Sequence, residues 1–499
     1  MLGWIDIAII AIYIAAIFIV GIASRGKQVD EADYFTGGGG FSKWIGVLVV
    51  GLSIGATFFS GISMLALPSV AYQSGVAIAL SIFLLPASGA VVLFWFLPRF
   101  FAANVHQPYE IIERKFGYPT RSLAAAMYML LRIGWMGVLI YAPVMAIMAG
   151  GQLSSGWFWP LVLGIGLTST IYTTLGGIRG VMVTDAIQFL LMGLGVTLPI
   201  GFIFWNYPYD WEHATAFLKE SQRLQWVDPS FNVTKPFTTI SIVAGFFTAN
   251  LGVYLADQMS IQRYLAAGDR KSASRAFVLN IVGVVIIIVL LLVLGIALSV
   301  WYEGVVDRLP PDQADHVFPV FVATHLPVGT PGLIFAALLA ATMSSMTSGI
   351  NALAGCITLD FVSRSSVLTS HESRLKFARY ASILIGVSAT VTAGAVKHLG
   401  TIFDMSQAFL GVLLGPLLVC MLLSVSKLNV RPLSMMTGML VGCISGGAVV
   451  LSPATSLWVA PTAALGTLLI PLATTLTSAF LVRFSVAEQS PTETPADVS

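Results

Sequence analysis

The chain has 499 residues and a net charge of +2, and it is 57% hydrophobic but only 10% charged. Because soluble domains carry about 25% charged residues, this balance excludes an ordinary soluble fold and indicates a membrane protein. The small net charge and the dispersed basic residues exclude a nucleic-acid partner. The cysteines Cys356, Cys420 and Cys443 lie in apolar stretches without CxxC spacing, which excludes a disulfide scaffold.

A helix that crosses a bilayer needs about 20 mainly apolar residues. About thirteen stretches satisfy this rule, and we number them as spans one to thirteen. In chain order they cover residues 4–24, 44–67, 75–98, 122–149, 156–175, 181–206, 238–262, 275–301, 331–357, 377–396, 402–425, 432–453 and 456–482. The sequence therefore predicts an all-α polytopic membrane protein with one transmembrane domain over residues 1–483. Residues 484–499 are polar, and we predict a disordered cytoplasmic tail there.

Basic residues in short loops favour the cytoplasmic side of a membrane. Most of the 25 Lys and Arg residues fall in alternate connections between the spans, and Arg263 after span seven is one of them. This asymmetry predicts a multi-pass plasma-membrane protein with its N-terminus outside the cell and its C-terminus in the cytoplasm. The long outer segments, about 206–236 and 302–329, are predicted to be partly ordered caps.

Ionisable side chains within membrane spans are costly to bury, which makes them candidates for function. The predicted spans contain few of them, and our candidates are Arg132, Asp185, Asp257 and Asp404. No histidine falls in a predicted span, which argues against haem or histidine-bound metal chemistry inside the bilayer. We therefore predict that the protein is not an enzyme.

Span nine carries a stripe of small and hydroxyl residues. Ala341, Ser344, Ser345 and Ser348 follow the i, i+3, i+4, i+7 spacing that places them on one helical face. Such residues also line ordinary helix contacts in membranes. The alternative is a cation site, because hard cations such as sodium prefer oxygen ligands and hydroxyls supply them without charge.

Spans two and seven contain residues that interrupt helices. In span two they are Gly51, Gly55 and Gly61, and in span seven they are Gly245, Asn250 and Gly252. Corresponding interruptions in two halves of a chain point to a transporter site, because broken helices expose backbone carbonyls at mid-membrane depth. Spans two to six and seven to eleven would then form two related blocks, about 44–206 and 238–425.

Several short segments follow one another in a specific order. They are Asp33 to Gly39, Ser53 to Thr57, Tyr109 to Phe116, Ile171 to Gly177, Thr184 to Gln188, Gln262 to Tyr264, and Ser344 with Ser345. In order and spacing they resemble the solute:sodium symporter family, which includes sodium/sugar, proline, sialic acid, iodide and monocarboxylate cotransporters. The resemblance implies a leucine-transporter-type fold, a five-plus-five inverted repeat with one extra N-terminal and two extra C-terminal helices.

The resemblance also implies two sets of sodium ligands. The main set comprises the backbone carbonyls of Ala56, Phe59 and Ala341 and the hydroxyls of Ser344 and Ser345. A second sodium ion, which some members bind, would contact Asp185, Ser344, Thr347 and Ser348. The alternative for Asp185 is an ion pair with a loop base such as Arg179.

The positions that match the substrate pocket of the family are Thr57, Phe58, Ser60, Ser63, Ile82, Arg132, Trp135, Asn250, Tyr254 and Gln407. Trp135 replaces the arginine that holds a carboxylate in sialic acid carriers, and Ile82 replaces a polar residue of span three. Arg132, one turn before Trp135, either binds a carboxylate or has a structural partner. A small carboxylate is the leading substrate class, and a sugar or sugar derivative is the second.

The predicted function is sodium-coupled secondary active import of a small organic solute by alternating access. Sodium and solute would each raise the affinity for the other, since both favour one conformer. The rival hypotheses are a proton-coupled carrier that uses Asp185 and a channel or sensor on the same scaffold. The expected partners are the solute, sodium and the lipid bilayer, with no obligate protein partner.

Overall fold

Apolar segments form helices in a bilayer because each backbone N–H and C=O must find its partner within the segment. The fold is taken from a computed structural model that describes residues 3–23, 34, 43–105, 107–207, 210–303, 314–362, 370–396 and 400–488. Side chains are described for these residues except 43–44, 359–360 and 476–488. Within these ranges the structure is helical and contains no strand, which confirms the predicted all-α class.

Among the residues that the structure describes, eight α-helices precede residue 207. They are α1 (Trp4–Ala23), α2 (Lys43–Phe58), α3 (Gly61–Ser74), α4 (Leu80–Ala90), α5 (Leu97–Ala102), α6 (Glu110–Phe116), α7 (Tyr118–Gly151) and α8 (Phe158–Asn206). The second half continues with α9 (Trp211–Glu220), α10 (Thr239–Leu255), α11 (Gln258–Ala266), α12 (Arg270–Trp301), α13 (Ala314–His325), α14 (Thr330–Gly355), α15 (His371–Ala395), α16 (Ile402–Ser424), α17 (Pro432–Val450) and α18 (Val459–Glu488).

Among the described residues, ten helical segments are long and apolar enough to cross a membrane, or eleven if the bent pair of α10 and α11 is one span. One of these segments holds more than a single predicted span. Helix α8 contains predicted spans five and six, and its 49 residues would extend for about 74 Å if straight. That is more than twice a bilayer core of about 30 Å. Its kink lies at Gly177, which has a φ of 60° and a ψ of −176°.

Span two is broken, as its glycines predicted. Helix α2 ends at Phe58 and α3 begins at Gly61, so Phe59 and Ser60 stand between the two halves. Gly61 allows a close approach to α14, because a Cβ at this position would lie 2.1 Å from Oγ1 of Thr342. The break is therefore packed directly against the helix that carries the hydroxyl stripe.

Span seven is also broken, but the predicted position was wrong. Helix α10 runs through Gly245, Asn250 and Gly252 without interruption, and the chain bends by 47° between α10 and α11. The physical reason is capping rather than glycine content. The side chain of Asp257 accepts a hydrogen bond from the Met259 N–H and caps α11, which fixes the start of a new helix.

Helix α14 is the centre of the fold. It packs against α1, α7, α8 and α15, and nearly all of its residues are buried. Its N-terminus is held by Asp6 of α1, which is 3% exposed and whose Oδ1 accepts hydrogen bonds from Gly329 N at 3.1 Å and Gly332 N at 2.8 Å. The carboxylate of one helix thus satisfies orphan N–H groups of another. This contact fixes α14 at one end.

The segments predicted to be outer caps each contain a helix in their described part, α9 in the first and α13 in the second. The first segment is also joined to span two, because Arg223 donates hydrogen bonds to the carbonyls of Tyr72 and Gln73 at the end of α3. At the C-terminus, α18 continues to Glu488, five residues into the predicted tail. The remainder of the predicted tail, 489–499, lies outside the described residues.

Candidate functional site

The main predicted sodium ligands meet where broken span two faces α14. The hydroxyl of Ser344 lies 3.3 Å from the carbonyl oxygen of Ala56. The hydroxyl of Ser345 lies 3.4 Å from the same oxygen and 3.2 Å from the carbonyl oxygen of Phe59. All four residues are at most 1% exposed, and Ala341 is one turn earlier on the same buried helix. The arrangement gathers neutral oxygen atoms from two helices around one point, as a hard monovalent cation requires.

A second cluster surrounds Asp185 of α8, which is fully buried. Its Oδ2 accepts hydrogen bonds from Ser53 Oγ at 2.7 Å and from Ser348 Oγ at 3.3 Å. The same oxygen forms an ion pair with Arg263 of α11 at 2.9 Å. Oδ1 of Asp185 has no hydrogen-bond partner within the described part of the chain. Thr347, in contrast, donates its hydroxyl to the carbonyl of Ser344 in its own helix.

Arg263 was therefore wrongly grouped with the loop charges. It is 1% exposed and lies between α2, α8 and α14, instead of in a cytoplasmic connection. An ion pair of Asp185 with a base was one of the two predicted alternatives, but the base is Arg263 and not Arg179. Sequence spacing did not reveal this pair because the two residues are 78 positions apart.

A cavity of about 140 Å³ lies beside the break in span two. Seven of the ten residues predicted for the substrate pocket line it, namely Thr57, Phe58, Ser63, Arg132, Trp135, Asn250 and Gln407. Further lining residues were not predicted, and the polar ones among them are Ser81 and Ser406. The cavity is small compared with the roughly 300–1,000 Å³ of pockets for drug-sized ligands.

Three predicted pocket residues do not line this cavity. Ile82 contributes to a separate apolar groove, because successive helix residues point about 100° apart and Ser81 takes the inward position. Ser60 is buried as the N-cap residue of α3. Tyr254 supports the pocket from behind, since its ring stacks on that of Phe58 with centroids 5.1 Å apart.

Arg132 has a structural partner and also lines the cavity. It forms a buried ion pair with Asp257 at the break between α10 and α11. Tyr128 donates its hydroxyl to the other carboxylate oxygen of Asp257 at 3.0 Å, and the guanidinium lies 4.7 Å from the centre of the Trp135 ring. Of the two predicted alternatives for Arg132, the structural partner is present as Asp257, and binding of a solute carboxylate stays a prediction.

The fourth ionisable candidate, Asp404, lies near the start of α16, which corresponds to predicted span eleven. It is exposed in the first turn of α16, where its carboxylate accepts hydrogen bonds from Thr401 at 2.6 Å and Ser456 at 2.7 Å. It lines a larger cavity of about 470 Å³, and Phe403 borders both this cavity and the smaller one. Asp404 therefore lines the larger cavity and not the smaller one beside the break in span two.

Helices that cross a membrane, a broken helix with carbonyls facing hydroxyls, and an adjacent polar cavity together define an ion-coupled secondary transporter. Residues 34–442 match the model of the sodium:solute symporter family. Because this match covers most of the chain, the protein belongs to the sodium:solute symporter family and is a sodium-coupled symporter. Members of this family are transporters and not enzymes.

Relatives and solved structures are similar over most of the chain. The sodium/sialic acid symporter of Proteus mirabilis is 29% identical over 457 residues, which cover 89% of each chain. The human sodium-coupled monocarboxylate transporter 2 is 29% identical over 408 residues, 79% of this chain and 63% of the relative. A solved structure of a substrate-bound, outward-open Na⁺-coupled sialic acid symporter aligns with a TM-score of 0.84 and 27% identity, covering 95% of this chain and 98% of that one.

Proposed function

We propose that this symporter imports a small organic solute by alternating access, with the main sodium ion bound by Ala56, Phe59, Ala341, Ser344 and Ser345. The observation that carries the proposal is the convergence of the Ser344 and Ser345 hydroxyls on the carbonyls of broken span two. Sodium there would hold span two against α14 and stabilise the conformer that forms the solute cavity. Its inward movement releases about 2.3 kcal/mol per 100 mV of membrane potential.

We also propose thirteen membrane spans arranged as two inverted blocks, about 44–206 and 238–425, with one helix before and two after them. The first helix of each block is broken, which supports the symmetry. Helices α17 and α18 pack mainly on each other and on α16, consistent with an added pair. The N-terminus would lie outside and the C-terminus inside the bacterial inner membrane, because basic residues favour the cytoplasmic side.

A small carboxylate is the solute class that we propose first. Arg132 is the only charged side chain that lines the small cavity, and its Nε has no hydrogen-bond partner among the residues described. The relatives named above carry sialic acid or monocarboxylates, which are anions at neutral pH. The cavity of about 140 Å³ favours the smaller of these solutes.

A sugar or sugar derivative is the second candidate. Asp257 already neutralises Arg132, and the other polar lining residues are neutral hydrogen-bonding groups, namely Thr57, Ser63, Ser81, Asn250, Ser406 and Gln407. Such a set suits hydroxyl groups of a solute. A thermal-shift screen of both solute classes, with and without sodium, would separate them, because ligands that bind the native state raise its apparent stability.

A second sodium ion at Asp185, Ser344, Thr347 and Ser348 completes the proposal. Ser348 and Asp185 are in hydrogen-bond contact at 3.3 Å, and the free Oδ1 of Asp185 provides an acceptor in the part of the chain described. A carboxylate supplies the negative charge that a buried cation needs.

The proposal is tested with purified protein in liposomes. We expect solute to accumulate against its gradient when an inward sodium gradient is imposed, and not when potassium replaces sodium. Equal accumulation in potassium with an imposed pH gradient would support proton coupling instead. Solute flux that never exceeds equilibrium would indicate a channel.

A further inference from the structure

Helix α11 is attached by buried ion pairs at both ends. At its start, Asp257 pairs with Arg132 of α7, and near its end Arg263 pairs with Asp185 of α8. The residues from Gln258 to Tyr264 are all buried. This nine-residue helix therefore contacts the solute cavity through one ion pair and the proposed second sodium site through the other.

The Arg263 side chain contacts two of the groups that a second sodium ion would need, the Asp185 carboxylate and the Ser348 hydroxyl. Its Nη2 donates to Oδ2 of Asp185 at 2.9 Å and to Oγ of Ser348 at 2.5 Å. Its Nε donates to Oγ of Ser53 at 2.8 Å, and Nη1 donates to the Met259 carbonyl of its own helix. The hydroxyl of Ser53 in turn donates to Asp185. The guanidinium thus occupies lone pairs of two hydroxyls and one carboxylate.

Two cations cannot share this carboxylate at low cost. In a poorly hydrated interior, like charges only a few ångströms apart repel strongly, and one carboxylate neutralises only one of them. Sodium would also require the Ser348 hydroxyl oxygen, which now accepts a hydrogen bond from Arg263. Sodium binding at Asp185 therefore disfavours the ion pair between Arg263 and Asp185, and the ion pair disfavours sodium binding.

We propose that Arg263 is a tethered cation that competes with sodium for the Asp185 carboxylate, so that the second sodium ion binds only when α11 withdraws Arg263. This inference rests on the second sodium site proposed above. Because the opposite end of α11 holds Arg132 at the solute cavity, the same displacement links the second ion to the solute. Arg263 then helps to determine how many sodium ions are transported with each solute molecule.

Sodium binding to the purified full-length protein tests the competition. Radioactive sodium is titrated onto a Ser345→Ala variant, because Ser345 belongs only to the main ligand set and its loss weakens that site. In this background we expect Arg263→Gln to raise the affinity for sodium about 5-fold or more, the lower end of typical coupling between linked sites. Adding Asp185→Asn should remove the gain.

The matched control is Arg270→Gln, which removes an exposed arginine four residues after the end of α11. It should leave the sodium affinity unchanged. Unchanged or weaker sodium binding in the Arg263→Gln variant would overturn the proposal, since it would show that Arg263 positions Asp185 instead of competing at it.

A measurement on the unsubstituted protein covers the case in which Arg263→Gln does not fold. We expect saturating sodium, compared with potassium, to increase hydrogen exchange of residues 258–266, and Asp185→Asn to abolish the difference. Sodium-induced protection of this helix, or no change, would contradict the competition. Sodium-driven uptake is measured on the same unsubstituted protein. If uptake is present, the symport proposal holds and only the competition is contradicted; if uptake is absent, the symport proposal itself fails.

Discussion

The two broken helices of the protein differ in what fills the break. The gap between α2 and α3 presents the carbonyls of Ala56 and Phe59 to the neutral hydroxyls of α14. The gap between α10 and α11 is filled by the ion pair of Arg132 and Asp257. A break lined by neutral oxygens can accept a cation, whereas a break that holds its own ion pair is already neutral. This difference supports our proposal that the first break binds the ion, whereas the second joins helices.

The largest effect is expected at the first break. Ser344→Ala with Ser345→Ala removes both hydroxyl ligands and should reduce sodium-driven uptake in liposomes by about 100-fold or more, since two oxygen ligands of a hard cation are lost. The matched control is Ser388→Ala with Ser445→Ala, because those hydroxyls donate to carbonyls of their own helices. If the Ser344→Ala, Ser345→Ala variant takes up solute as fast as the control, the first break does not bind the coupling ion and the two breaks do not differ in this function.

At the second break, a single substitution should affect stability. Arg132→Met leaves the buried carboxylate of Asp257 without its cation and should destabilise the protein by about 3–5 kcal/mol. Adding Asp257→Asn should restore part of that loss, because the uncompensated charge is removed. Thermal unfolding in detergent measures both variants. A double variant that is less stable than Arg132→Met alone would show that charge neutralisation is not the role of Asp257.

The close approach of the first break to α14 can be tested separately. Gly61→Ala places a Cβ 2.1 Å from Oγ1 of Thr342 and should cost about 1–3 kcal/mol through overpacking. The control is Gly164→Ala in α8, where a Cβ would meet no atom within 4 Å. If the two variants unfold at the same temperature, the break and α14 are not tightly packed in the stable conformer.

The smallest effect is expected for an ion pair at the protein surface, with which the buried pairs can be compared. Lys235 lies 2.5 Å from Asp228 in the first predicted outer segment, and together with hydrogen bonds from Ser230 it lowers the pKa of Asp228 to about 2. A lowered pKa stabilises the fold above the unfolded pKa of about 3.9, and this contribution disappears as the pH falls through about 2.

Asp228→Asn should therefore lower the unfolding temperature slightly at pH 7, and the difference from the unsubstituted protein should shrink between pH 4 and pH 2. The shift is expected to be the smallest in the series, since exposed ion pairs contribute little. A shift as large as that of Arg132→Met would mean that burial does not distinguish the ion pairs of this protein.

Several site features could be predicted from the sequence because they are local. The spacing of Ser344, Ser345 and Ser348 follows from helix geometry, and the glycines of span two predicted the break that α2 and α3 show. Span seven failed this test, because its break depends on capping by Asp257 and on a partner in α7. The prediction of Ile82 as a pocket residue was wrong for another reason. Its neighbour Ser81 lines the cavity instead, because adjacent residues on a helix point in different directions.

The sequence by itself determined the environment and the helical class, because an apolar chain with 10% charged residues satisfies its backbone in a bilayer only through helices. Its ordered motifs were sufficient to indicate the family that the match over residues 34–442 shows. Only the tertiary structure decided how the buried charges pair. Arg263 meets Asp185, and Arg132 meets Asp257, because helices far apart in sequence pack together, and no local pattern specifies which of them become neighbours.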